Sequence, residues 1–202
     1  MRGISLGFAA GASAAALVTL GCAIGAGGGG AAPDATSPPV PIASVFVLEA
    51  TGAIPDDTSV AVGAGASRVI ELRRSGPDYG LFARLIIPPP DSGSAPGGPL
   101  QVTLRPRPGL YAIDLEIEGR IAPGAVIEFS YGMHFVAPAG ARERYGGDLE
   151  FERELLVARQ EGDSQVVFLP TRRPGSDMVR APIERSGRYL VAAPRNPIAP
   201  AR

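Results

Sequence analysis

The chain has 202 residues and a formal net charge of −1, with 27 glycines, 21 prolines and 45% hydrophobic residues. Glycine plus proline lies just under the roughly 25–30% at which low complexity becomes the default, but the apolar content excludes a wholly disordered chain. Balanced charge gives no sign of a nucleic-acid partner, and one histidine, one cysteine and no tryptophan remove most familiar catalytic and metal-binding sets.

The first 21 residues read as an export signal. Arg2 is a short positive n-region, and Ile4 to Leu20 is an almost unbroken run of apolar and small residues. That run is rich in glycine and alanine and marginal for spanning a bilayer core, so cleavage is expected rather than a permanent span. It ends in Thr19-Leu20-Gly21-Cys22, which resembles the lipobox of bacterial lipoproteins. Gly21 matches that pattern, whereas Thr19 stands where Leu or Val is usual. The resemblance implies that Cys22 is diacylated before cleavage and then N-acylated, anchoring the chain in a membrane. Ala23 after the cysteine resembles the outer-membrane sorting pattern of a Gram-negative host. Two or more acyl chains hold firmly where one is marginal. A cleaved, lipidated chain has no thiol left for a disulfide, so packing must stabilise it. All 19 basic residues are arginine and Asn196 is the only asparagine, which fits a high-GC bacterial coding sequence.

Residues 22–43 are expected to form a tether. Gly27 to Gly30 are followed by Pro33, Pro38, Pro39 and Pro41 among small residues, a flexible stretch leading into an extended one. From Ser44 short apolar runs alternate with Gly, Pro and Asp turns. Tyr111 to Glu118 is the clearest strand, its odd positions large and apolar and its even positions small or acidic. Further strands are expected at 45–49, 59–62, 69–73, 81–87, 100–105, 125–131, 165–169, 178–183 and 188–192, with a proline-rich loop from Pro88 to Pro99. Leu149, Phe151, Leu155 and Val157 favour strand over Asp148 to Gln160, although Glu, Leu, Arg and Ala there also suit a helix. The pattern predicts an all-β fold, an antiparallel β-sandwich of roughly 9–11 short strands over residues 44–194. Two small β domains stay open as an alternative, and 195–202 are expected to be a flexible tail.

Ala122-Pro123-Gly124 with the strand to Tyr131, then Leu155 to Arg159, Val166 to Pro170 and Ala181 to Ala192, resemble a module of bacterial surface proteins. It is similar to the β-sandwich of ankyrin spectrin-binding regions and netrin receptors, with Phe168 where Trp is often found. That resemblance implies an interaction or spacer domain without catalysis and transfers no functional residues.

The candidate chemistry is thin. His134 would have to be the base of any Ser-His-Asp set, yet no Gly-x-Ser-x-Gly elbow accompanies it, and Ser130 is its only near serine in sequence. Asp114, Glu116 and Glu118 would share a strand face, as would Glu150, Glu152 and Glu154 if extended. Such rows suit paired-carboxylate hydrolysis or, as expected here, a solvated face balanced by arginines such as Arg105, Arg107 and Arg153. Asp56-Asp57 lacks the spacing of a known calcium loop. Gly63-Ala64-Gly65 lacks the third glycine and following helix of a phosphate loop. Arg172-Arg173 beside Pro174-Gly175 reads as a turn. Glycan stacking would have to use Tyr79, Tyr111, Tyr131, Tyr145 or Tyr189. The expectation is a cell-envelope lipoprotein attached through Cys22. Its sandwich binds an envelope protein or glycan, with no catalytic residue, metal or cofactor assigned. An envelope-polymer hydrolase and a periplasmic assembly subunit are the alternatives.

Overall fold

The computed structural model describes residues 36–76, 79–89, 99–132 and 134–196. The signal segment, Cys22, the tether before Thr36, most of the 88–99 loop and the last six residues lie outside them. Alternating apolar and polar side chains give a strand one face to bury and one to solvate, and strands form wherever that alternation is clear. In chain order they are β1 (Val40–Pro41), β2 (Val45–Val47), β3 (Glu49–Ala50), β4 (Thr58–Val62), β5 (Arg68–Arg73), β6 (Leu81–Ile87), β7 (Leu100–Pro106), β8 (Ala112–Glu118), β9 (Val126–Ser130) and β10 (Phe135–Val136). Two short helices follow, α1 (Ala141–Tyr145) and α2 (Asp148–Arg153), then β11 (Leu156–Glu161), β12 (Gln165–Phe168), β13 (Arg172–Gly175), β14 (Met178–Pro182) and β15 (Gly187–Pro194).

The fold is all-β and antiparallel, with two main sheets packed together. The larger runs β1-β12-β11-β15-β8-β7-β4, with β2 also on β15, and the smaller runs β13-β14-β9-β6-β5. Ile113, Leu115, Tyr189 and Val191 from the first meet Leu85, Ile127, Phe129 and Val179 from the second in one core. A chain of aromatic rings crosses it. Phe82 stacks on Tyr111 at 5.2 Å, Tyr111 meets Tyr131 edge-on, and Phe135 joins Tyr131 to Phe151.

The larger sheet is also curled. β1 pairs with β12 and β2 pairs with β15, so in a flat sheet these strands would lie about 19 Å apart. Four residues from Pro41 to Val45 reach about 14 Å at most, and Ile42–Ser44 is coiled as a 3-10 turn. The sheet therefore bends its outer face round a second apolar cluster containing Val45, Ala112, Ala158, Val166, Leu190 and Ala192. The alanines fit this tight bend because they carry no bulk.

Several expectations need correction. The tether ends before Ser37, whose amide donates to the Phe168 carbonyl at 2.9 Å, while its hydroxyl accepts from the Phe168 amide. Val40 and Ile42 pack on the second cluster, so residues 37–43 belong to the folded body. Asp148–Arg153 is helix and only its continuation is strand: Phe151 is the buried residue of the helix, while Leu149, two positions earlier, is 54% exposed. Arg172 and Arg173 lie on β13, the turn falling one step later at Ser176-Asp177. In the expected tail, the Arg195 amide donates to the Ser44 carbonyl and its guanidinium lies over the Phe46 ring. Among the described residues no helix is long and apolar enough to cross a membrane.

Candidate functional site

The outer face of the larger sheet changes character along its strands. On β8, Ala112 belongs to the enclosed apolar end, whereas Asp114 and Glu116, two and four positions later, reach the polar end. On β15, Leu190 and Arg188 divide the same way. The polar end is built by register. Arg105 on β7 lies opposite Asp114, and Asp114 lies opposite Arg188 on β15, giving alternating charge across three strands.

The side chains complete these rows. Arg188 grips Asp114 through Nε at 2.6 Å and Nη2 at 3.3 Å, and its Nη1 donates to Gln160 Oε1 at 3.0 Å. Arg107 reaches the same carboxylate at 3.3 Å, and Arg105 donates to Glu116 at 2.7 Å. The Asp114 hydrogen bond holds the Arg188 guanidinium above its ordinary range, and Glu116 does the same for Arg105. Nearby, hydrogen bonds from Arg159 and then Arg185 hold the Glu161 carboxyl below the usual range.

A cleft opens where β15 begins at Gly187 while β8 continues to Glu118. Ser186 fills the missing strand position: its hydroxyl oxygen accepts from the Ile117 amide at 2.9 Å and donates back to the Ile117 carbonyl. The cleft is about 440 Å³, lined among others by Arg105, Asp114, Glu116, Gln160, Ser186 and Arg188. Its floor offers forked donors and carboxylate acceptors in fixed positions and no aromatic ring. Both carboxylates of the cleft are already bonded to arginine, Asp114 to Arg107 and Arg188 and Glu116 to Arg105.

The other candidates separate. His134 is half-buried in the turn between β9 and β10, with its ring beside Gly52, while Ser130 on β9 lies opposite Met178. Glu150 and Glu152 sit on α2, where residues two apart diverge, so no row with Glu154 exists. Asp57 lies 3.8 Å from Arg105. Gly63-Ala64-Gly65 is the turn into β5, with no helix after it. Among the described residues no group of three or more His, Cys, Asp or Glu is placed to hold a metal ion. Tyr111, Tyr131 and Tyr189 are core residues whose rings cannot stack on a glycan, whereas Tyr79 is 67% exposed.

No family model, curated protein or solved structure matches the chain. The resemblances of residues 19–22 and 122–192 therefore rest on the quoted residues.

Two charged sites on the sheets escaped the sequence reading, besides Arg74 just after β5, which is buried in the core. Glu128, fully buried on β9, lies opposite Arg84 on β6 and Arg180 on β14. Arg180 donates to one carboxylate oxygen at 2.7 Å, and Arg84 Nε approaches the other at 2.6 Å as an ion pair without hydrogen-bond alignment. With Glu71 opposite Arg84, a charge ladder alternates in sign from β5 to β14, and at the sheet edge Arg172 lies opposite like-charged Arg180. Arg188 was also missed. With Tyr189 assigned inward, alternation alone would have set Arg188 facing outward.

Proposed function

We propose that the chain is a lipid-anchored envelope protein whose β-sandwich is a non-catalytic binding module. The observation that carries this reading is the pairing of Asp114 and Glu116 on β8 with Arg105, Arg107 and Arg188. Paired-carboxylate hydrolysis needs two carboxyl groups free to face a substrate, and here Asp114 and Glu116 are each already engaged by arginine. The same pairs leave a polar floor in the 440 Å³ cleft, suited to a glycan or protein segment rich in hydroxyl and amide groups. Attachment rests on Cys22, which falls at the end of the apolar leader and fourteen positions before the first described residue, Thr36.

Metabolic labelling with a fatty-acid probe and membrane fractionation test the anchor. The wild-type chain is expected to take up label and sediment with membranes, and Cys22→Ser to lose both. A Cys22→Ser chain that still labels and stays membrane-bound would sink the reading. Pull-down from solubilised envelope, with and without Arg188→Ala, tests the cleft.

A further inference from the structure

A β-sheet that ends in an unpaired strand offers a row of free backbone donors and acceptors, and folded proteins guard such edges with charge, proline, bulges or covering segments. Apart from β2, whose Val45 and Phe46 are buried beside β15, and the two-residue pair β3–β10, the two main sheets end among the described residues in four strands. Three of the four are guarded. β1 is two residues long, contains Pro41 and belongs to the curled end of its sheet. β13 contains Pro174 and an irregular register with β14. β5 carries Arg68, Glu71 and Arg73 and a register shift at Leu72/Arg73.

β4 is different. Thr58-Ser59-Val60-Ala61-Val62 has no charge, no proline and no register break against β7. It has no other strand partner among the described residues. Its inward residues are Thr58, Val60 and Val62, and Ser59 and Ala61 face out, both exposed. The pattern is also self-complementary. An antiparallel copy related by a two-fold axis at Val60 sets Val60 opposite Val60, Thr58 opposite Val62 and Ser59 opposite Ala61. Inward residues then meet inward and outward meet outward, as sheet continuation requires. Charge agrees as well: the next position out sets Asp57 opposite Gly63, so no like charges oppose. The flanking Thr103 and Gln101, which hydrogen-bond to Ser59, extend an uncharged surface across the join.

We propose that the β4 edge pairs with β4 of a second copy of this chain, joining two larger sheets into one continuous antiparallel sheet. The inference gives the proposed binding module an assembly surface, but it does not depend on the lipid anchor. An edge of five residues buries little area and makes a weak contact in dilute solution. Confinement of both copies to one membrane would raise their effective concentration.

Cysteine cross-linking in the full chain tests it. Opposed Cα atoms in an antiparallel pair lie about 4.5–5.5 Å apart, within disulfide range. Val60→Cys, oxidised with copper-phenanthroline, is expected to give a band at twice the chain mass that reductant removes. The wild type, whose only cysteine is Cys22, and Val69→Cys on the exposed part of β5 are expected to stay monomeric under the same conditions. Adding Ser59→Asp and Ala61→Asp opposes like charges twice across the join and is expected to abolish the Val60→Cys dimer. The pair Ser59→Cys with Ala61→Cys carries the same expectation at exposed positions, so a folding defect at Val60 does not end the test. The proposal is overturned if neither reporter cross-links or if Val69→Cys cross-links equally. It is also overturned if the acidic pair leaves the dimer intact, or if the adduct has a mass other than twice the chain. A lipidated chain without the dimer removes only this inference. A dimer in a chain that takes up no lipid removes only the anchor.

Discussion

Arg74 donates to the Tyr111 hydroxyl at 2.7 Å inside the sandwich core, with Arg74 2% exposed and Tyr111 fully buried. The guanidinium also donates to the carbonyls of Thr51 and Ala53 and lies over the rings of Phe82 and Tyr111. Tyr111 passes its own proton toward the Tyr131 carbonyl at 3.2 Å. The loop after β3 is thus fastened to the core by one cation. Tyr111→Phe removes an acceptor from a buried charged donor and is expected to destabilise by about 2 kcal/mol. In a chain of this size that lowers the thermal midpoint by roughly 4–8 °C. Arg74→Met with Tyr111→Phe should lose less than the sum of the single changes, because the second removes what the first left unpaired. Thermal melts of the four proteins check it, and strict additivity would refute the coupling.

Glu128 is fully buried between Arg84 and Arg180, whose side chains keep about a third of their exposure. Removing the central charge strands two cations, whereas replacing the whole triad removes the desolvation problem with the attraction. Glu128→Gln is expected to cost about 3 kcal/mol, and Arg84→Met, Glu128→Leu and Arg180→Met together much less. Urea denaturation of both variants decides the point. If the triple variant falls as far as the single one, the ladder contributes net stability.

Burial raises the hydroxyls of Tyr131 and Tyr145 to about 12, and those of Tyr111 and Tyr189 also lie above the ordinary tyrosine range. An unfolded tyrosine ionises near 10, so between that value and about 12 the unfolded chain has released protons that the folded one keeps. Stability is therefore full below pH 10 and falls as the pH rises toward 12. For fully buried Tyr131 the loss is on the order of 2 kcal/mol. Urea midpoints at pH 9 and pH 11 are expected to differ by less in Tyr131→Phe than in the wild type.

The strands were legible because each half-buried strand writes its own period of two. Leu81 to Ile87 forms over the expected residues, and Ala83, Leu85 and Ile87 are buried between half-exposed Arg84 and Ile86. The same rule failed at residues 148–153, where Leu149 and Phe151 suggested alternation but only Phe151 is buried. The run of helix formers, Glu, Leu and Arg, was the better signal. Pro41 hid a strand because proline suggests a linker, although at a sheet edge its missing N–H costs nothing. The cleft was half legible: the acids on β8 stood out in the sequence. Their partner Arg188 lies 74 positions from Asp114, and only the sheet order brings the two together.

α2 is too short to be stable alone, and its end is held from another strand. Arg173 on β13 donates through Nη2 to the carbonyls of Glu152, Arg153 and Leu155, at 2.6, 2.9 and 2.9 Å, and through Nη1 to Tyr131 at 2.9 Å. Carbonyls at a helix end have no partner within the helix, and a cation there also meets the negative end of the dipole. Arg173→Met should therefore release the segment locally without opening the core. Amide exchange of residues 148–155 is expected to quicken about tenfold, equivalent to about 1.4 kcal/mol, while β9 and β14 stay protected. Arg173→Lys should recover only part of the effect, because one ammonium cannot reproduce the fork that spans three carbonyls and a hydroxyl. Uniform acceleration across the sheets would instead mean that Arg173 supports the whole sandwich.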